Sequence, residues 1–321
     1  METLGHRKNE HLELARKAQL NASSQDSRFS YEPLFGVHTS AQNKYQFLNW
    51  ELDFPFIISS MTGGSEKARF LNNSLAHVAA KLNIIFGLGS CRSLLESDDR
   101  LSDFDFKSIL GKTPLLANIG IAQLEALYLE NDFQKLESLI TSLSADGLIV
   151  HVNPLQEHTQ LEGDKFSIKP VETIQWLREK FSGTLIVKEV GQGFGKKSLS
   201  ALIYAKVDCI DLAGLGGTNF TKLESLRSGR ETCFAQIGHS CEEMIAHLNE
   251  LGATIPIIIS GGVKSPLDAY YLRSLYKGPS IIGQASMVLS ALEKGAEQLE
   301  LYLRNFFDDY KVASEYLEVR N

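Results

Sequence analysis

At 321 residues the chain is long enough for one large α/β domain or two smaller ones. Its 43% hydrophobic and 22% charged residues are ordinary for a globular protein, and a formal net charge of −7, from 39 acidic and 32 basic residues, excludes the broad basic footprint of a nucleic-acid binder. If the ligand is an anion, the cations that hold it must be gathered locally.

The segment Met1 to His11 is polar and lacks the apolar core of a signal peptide, and the longest apolar runs elsewhere are too short to span a bilayer. A cytoplasmic protein with no membrane partner is expected. Cys91, Cys209, Cys233 and Cys241 show no zinc-binding spacing and read as reduced thiols. Residues 6 to 21 alternate charge with Leu12, Leu14, Ala15, Ala18 and Leu20, which predicts a short amphipathic helix. Its start gathers His6, Arg7, Lys8 and His11, and cations sit poorly at a helix N-terminus unless an anion joins them. Residues 22 to 50 are rich in Ser, Asn and Gln with scattered aromatics, the composition of an ordered arm wrapped on a core. Residues 1–54 are therefore expected to form an arm on a single domain over 55–321.

From residue 55 a rhythm begins. Short apolar runs stand at Phe56–Ser59, Ile84–Phe86, Leu115–Ala117, Leu148–Val150, Leu185–Val187, Cys209–Leu212, Ile257–Ile259 and Ile281–Ile282. Helical patterns follow most of them: Lys67 to Leu82, Gln123 to Leu143, Val171 to Phe181, Ser198 to Tyr204, Cys241 to Leu251, Pro266 to Tyr276 and Met287 onward. Continuous apolar runs alternating with amphipathic helices are the pattern of parallel strands buried on both faces. Eight such units fit a closed (β/α)8 TIM barrel with an N-terminal arm. A doubly wound open sheet would show the same alternation.

In a barrel of this kind the chemistry lies at the C-terminal ends of the strands. Here these ends are all polar or glycine-rich, whereas the opposite loops, such as Ser182-Gly-Thr184 and Gly252-Ala-Thr254, are plainer. His151-Val-Asn-Pro-Leu-Gln-Glu157 ends the fourth strand with an imidazole, two amides and a carboxylate. Ser260-Gly-Gly262 and Gly283-Gln-Ala-Ser286, after the seventh and eighth strands, occupy the usual barrel phosphate site, where small residues let backbone N–H groups approach closely. Lys188 ends the fifth strand, where a buried ammonium needs an anion, either Glu189 or a ligand. Asn153 and Glu157 offer the hard oxygens that suit Mg2+ together with ligand phosphates.

These residues resemble the FMN-dependent type 2 isopentenyl diphosphate isomerases. The resemblance runs from about residue 6 to about residue 288 and includes Arg7-Lys-Asn-Glu-His11, Ser60-Met-Thr-Gly-Gly64, Gly89-Ser-Cys-Arg92, Asn118, His151 to Glu157, Glu162-Gly-Asp164, Val187 to Gly191, Gly216-Gly-Thr218 and Ser260-Gly-Gly262. It implies an FMN across the barrel mouth, its phosphate on Gly261, Gly262, Ala285 and Ser286, and its ring and ribityl chain against Ser60, Met61, Thr62, Ser90, Asn118, Lys188 and Thr218. It further implies a substrate diphosphate on Arg7, Lys8, Ser90, Arg92 and Asn153, Mg2+ on Glu157, and the hydrocarbon near Gln156 and His151 as the catalytic pair. NADPH as reductant and a homo-oligomer complete that expectation.

The chain departs from the family pattern at Ala213, where Ser is common, and at Gln236-Ile-Gly-His-Ser240, where a Trp-Gly-Ile-Pro-Thr-like segment is expected. Leu161 stands for Pro, and Cys91 lies inside the Ser-Arg motif. Two other readings stay open: an FMN-dependent 2-hydroxy-acid oxidase or dehydrogenase, which needs a catalytic His near the seventh strand and paired arginines, and a flavin-binding barrel that has lost catalysis.

Overall fold

The computed structural model describes residues 4–38, 44–61 and 63–320. Helix α1 (Leu4–Leu14) opens the chain, followed by β1 (Phe29–Tyr31) and a hairpin of β2 (Tyr45–Phe47) and β3 (Trp50–Leu52). The barrel then begins with β4 (Phe56–Ile58), α2 (Glu66–Leu82), β5 (Ile85–Gly87), α3 (Lys107–Leu110) and β6 (Leu115–Gly120). Helices α4 (Ile121–Glu130) and α5 (Phe133–Ser142) lead to β7 (Gly147–Val152), and α6 (Pro154–Thr159) and α7 (Pro170–Lys180) lead to β8 (Thr184–Glu189). After α8 (Lys196–Tyr204) come β9 (Cys209–Asp211), α9 (Phe220–Ser228), α10 (Cys241–Glu250) and β10 (Ile257–Ser260). The chain ends with α11 (Pro266–Leu275), β11 (Ser280–Gln284), α12 (Ser286–Leu292), α13 (Ala296–Tyr316) and β12 (Leu317–Val319).

Strands β4 to β11 pair in sequence order and in parallel, and β11 returns to β4 with Ile282 opposite Phe56, closing an eight-stranded barrel. The open-sheet alternative is thereby excluded. Strand side chains alternate between two cores: Ile149 and Ile186 point into the barrel, while Leu148, Val150, Leu185 and Val187 pack under the helices. Both faces exclude water, so the strands read as unbroken apolar runs.

Segments outside the rhythm seal this barrel. Phe47 and Leu52 of the β2–β3 hairpin join Ile57, Ile85, Leu116, Ile258 and Ile281 in the interior cluster. The hairpin thus plugs the N-terminal half of the barrel. Strand β1 pairs antiparallel with β12, and Arg28 beside it binds both Asp26 (2.7 Å) and Asp268 (2.8 Å) while lying over the Tyr271 ring. Residues 26–31 are in this way pinned to α11.

Three helix boundaries differ from the sequence expectation. The helix expected over 6–21 stops at Leu14: Leu12, Leu14 and Leu20 are exposed, and an unpacked helix this short gains little from continuing. The pattern over 123–143 splits because Asn131 turns left-handed (φ 51°) and Asp132 caps the next helix by accepting from the Lys135 N–H (3.3 Å). Gly295, at φ 113°, likewise divides the C-terminal pattern into α12 and α13. All four cysteines are free, and among the described residues no helix is long and apolar enough to cross a membrane.

Candidate active site

The C-terminal end of β7 places its polar residues against β6 and β8, with His151 in register between Gly120 and Lys188. The His151 Nδ1 lies 2.9 Å from the Asn118 Oδ1, and the Asn118 Nδ2 donates to the Leu88 carbonyl (3.0 Å). Since that amide oxygen can only accept, Nδ1 carries the proton and Nε2 keeps its lone pair. Burial pushes the imidazole pKa from 6.5 down to about 4, and the Lys188 charge acts in the same direction. His151 is therefore neutral at physiological pH.

This neutrality has a measurable consequence. Between pH 6.5 and about 4 the unfolded chain binds a proton at His151 that the folded chain refuses. Stability should fall as pH drops through that window. Urea midpoints at about pH 7.5 and about pH 5 should show a smaller acid loss in His151→Gln than in the parent. Equal losses would mean that the folded imidazole is charged.

Lys188 is buried, 3.6 Å from the Asp211 Oδ2, and donates to the Glu189 carbonyl (2.9 Å). The Glu189 carboxylate makes no ion pair with it, although the Lys188 charge still favours its ionised form. It accepts the N–H groups of Gly191 (2.7 Å) and Gly193 (2.9 Å) and that of Gln192 between them, and burial raises its pKa. Asp211, which sequence reasoning passed over inside the run Cys209–Leu212, is the true partner. Its other oxygen accepts the Ser260 hydroxyl, whose oxygen in turn accepts the Ala213 N–H (3.1 Å). A charge inside an apolar run was the available signal, and only the pairing of adjacent strands reveals what it meets.

A second polar group forms where β7 meets α6. The Asn153 Nδ2 donates to the Glu157 Oε1 (2.8 Å) and the Gln156 Oε1 (3.2 Å), and the Glu157 Oε2 accepts the Asp164 N–H (2.8 Å). The Asn153 Oδ1 is buried with no hydrogen-bond partner. A buried acceptor left bare costs free energy, so a cation or donor at this oxygen would be stabilising.

Beside these groups lies a cavity of about 450 Å3 whose lining brings together Ser60, Met61, Lys188, Thr218, Gly261, Gly262, Ala285 and Ser286, eight of the residues expected around FMN. Gly261 sits at φ 88°, and a Cβ there would lie 2.1 Å from the Gly214 carbonyl oxygen. The loop after β10 thus packs backbone to backbone on the loop after β9, which leaves main-chain groups to face a ligand. The Ser59 and Ser60 hydroxyls are buried without partners at the same rim. Thr62 lies outside the described residues.

Other expected residues stand apart from the cavity wall. Asn118 is buried and spent on His151 and Leu88, Ser90 is half-buried, and Arg92 is exposed at the start of a short 3-10 helix. Arg7 and Lys8 are exposed on α1, which no hydrogen bond between described residues joins to the barrel mouth. The described site can therefore cradle an anionic group, hold a neutral imidazole beside a buried ammonium, and offer hard oxygens to a cation.

No protein-family model matches the chain. The curated isopentenyl-diphosphate delta-isomerase of Pseudescherichia vulneris is 35% identical over 325 residues, covering 97% of this chain and 92% of that protein. Its counterpart in Rickettsia africae (strain ESF-5) is 34% identical over 317 residues, covering 95% and 91%. Among solved structures, a mandelate oxidase variant with a monooxide FMN adduct shares the fold at a TM-score of 0.54 and 10% identity, covering 91% of this chain and 88% of that one.

Proposed function

The chain belongs to the isopentenyl-diphosphate delta-isomerase family, and on that premise we propose that it interconverts isopentenyl and dimethylallyl diphosphate with reduced FMN and Mg2+ in isoprenoid synthesis. The observation that carries this reading is the glycine cradle beside buried Lys188, a few residues in space from the Asn153, Gln156 and Glu157 oxygens. Its shape suits a phosphate on Gly261, Gly262, Ala285 and Ser286, and the bare Ser59 and Ser60 hydroxyls offer further polar contacts. An FMN adduct in a mandelate oxidase of the same fold supports this choice of ligand. Reduced FMN, when bound, supplies an electron-rich ring that can give and take a proton beside an unactivated alkene.

The chain's own residues then have distinct tasks. Lys188 provides positive charge toward an anionic reduced ring, and Asp211 holds that ammonium in place. Glu157 would hold Mg2+, with the bare Asn153 oxygen aiding at the diphosphate through that ion, and Ser90, Arg92, Arg7 and Lys8 meet the diphosphate itself. His151 and Gln156 stand at the hydrocarbon end, where a neutral imidazole does not repel the cationic character that protonation creates. Moving a double bond needs one proton added and one removed, with no net redox change, so the flavin must be reduced once and kept so. NADPH is the proposed reductant.

Hydroxy-acid oxidation is disfavoured because the segment Ser260-Gly-Gly-Val-Lys264 carries no histidine. A barrel without catalysis is disfavoured by the intact Gln156, Glu157, Arg7 and Lys8. Exposed Leu12, Leu14, Leu20, Leu34 and Phe35 support a homo-oligomer, and four free cysteines suit a cytoplasmic location.

Flavin-free protein reconstituted anaerobically tests the reading. With FMN it should bind tightly and turn over, while riboflavin, which lacks the phosphate, should bind at least about a hundredfold more weakly. Equal binding of the two would remove the phosphate from the cradle.

A further inference from the structure

Behind the loop after β9, where the chain enters α10, three side chains come together that the isomerase chemistry does not use. Ser240 caps this helix by accepting the Glu243 N–H (3.2 Å), which fixes the first turn. Glu243 and His247 stand four residues apart on one face of α10, and His239, just before the cap, reaches the same Glu243. The Glu243 Oε1 lies 2.7 Å from the His239 Nδ1 and 3.8 Å from the His247 Nε2. One ligand atom from each residue lies within 4.8 Å of the others.

The other nitrogen of His247 supplies an independent observation. Its Nδ1 is buried and has no hydrogen-bond partner, although the Glu250 Oε2 stands 3.8 Å away, itself held by the Lys196 Nζ at 2.8 Å. A buried ring nitrogen without a partner is unfavourable. If a cation takes Nε2, the ring proton must reside on Nδ1, directed toward the Glu250 carboxylate. Ligating histidines commonly donate their second N–H to a carboxylate in this way.

We propose that His239, Glu243 and His247 bind a divalent transition-metal ion of the zinc class, with water at the fourth position. Two imidazoles and one carboxylate are a borderline donor set that prefers Zn2+, Co2+ or Ni2+ to Mg2+, so the site is chemically distinct from the one at Glu157. Its role is structural. The His239 N–H donates to the Gln192 carbonyl (2.8 Å), and its own carbonyl accepts the Leu215 N–H (2.9 Å). Leu215 leads directly into Gly216 and Gly217, which pack on Gly262 and Gly261. An ion here ties the loop before α10 to the helix and steadies one wall of the phosphate cradle. The segment containing His239 is also where the sequence departs from the family pattern.

The test uses flavin-loaded protein treated with a chelator and then kept in excess Mg2+. Calorimetric titration with Zn2+ and visible absorption with Co2+ should each show about one ion per chain, and the cobalt spectrum should lack a thiolate charge-transfer band. His247→Gln and His239→Gln should each weaken Zn2+ binding by more than about a hundredfold. His239 lies outside the helix, so its variant decides the question even if His247→Gln fails to fold. No saturable binding, unchanged affinity in His239→Gln, or a thiolate band assigning the ion to Cys233 would each overturn the proposal.

Discussion

Glu157→Gln should retain FMN and lose isomerase activity by about a thousandfold or more, equivalent to roughly 4 kcal/mol of transition-state stabilisation. The substitution preserves the shape in the first turn of α6. Its new oxygen can still accept from the Asn153 Nδ2 (2.8 Å in the parent) or the Asp164 N–H, so the local fold should stand. What disappears is the negative charge, and Mg2+ binds through a carboxylate together with ligand phosphates rather than through a neutral amide. Excess Mg2+ should recover part of the activity. The flavin cavity does not include Glu157 in its wall, so the visible spectrum should not change. Loss of flavin with an unaltered Mg2+ dependence would move Glu157 out of the metal role.

Gly261→Ala should yield a colourless, less stable protein. At φ 88° an L side chain is strained by roughly 1–3 kcal/mol before any clash is counted. The added Cβ would also lie 2.1 Å from the Gly214 carbonyl oxygen and 2.5 Å from its nitrogen, both backbone atoms that no rotamer change can move aside. Relief requires the loops after β9 and β10 to separate, which opens the cradle. Flavin occupancy should fall by at least about tenfold, and each kcal/mol lost should lower Tm by about 2–4 °C for a chain of this class. Full FMN occupancy with an unchanged Tm would show that the two loops do not support the phosphate.

The barrel was legible because each parallel strand is buried on both faces and each return is an amphipathic helix. Cys209–Leu212 and Ile257–Ile259 could be placed without knowing what they touched. Polar strand ends announced the site for the same reason, since His151, Asn153 and Lys188 stand where a sealed core would carry aliphatic residues. Less could be read where partners are distant in sequence. Asp211 meets Lys188 only because β8 and β9 are neighbours, whereas the sequence offered the adjacent Glu189 or a ligand anion. The plug formed by Phe47 and Leu52 has no periodicity of its own, being two buried residues on very short strands. Asn131-Asp132 did carry a capping signal, but the apolar period continued across it and concealed the break. The His239, Glu243 and His247 spacing lay in the sequence too, yet only the bare Nδ1 of His247 sets it apart from a solvated helix face.

A reduced flavin together with the His151 to Glu157 segment should move a double bond without net oxidation. Incubating the FMN-loaded protein anaerobically with isopentenyl diphosphate, Mg2+ and dithionite in D2O tests it most directly. Dimethylallyl diphosphate carrying at least one solvent deuterium should form with the reduced flavin and not with the oxidised one. No product from reduced protein, or equal conversion by oxidised protein, would contradict the account.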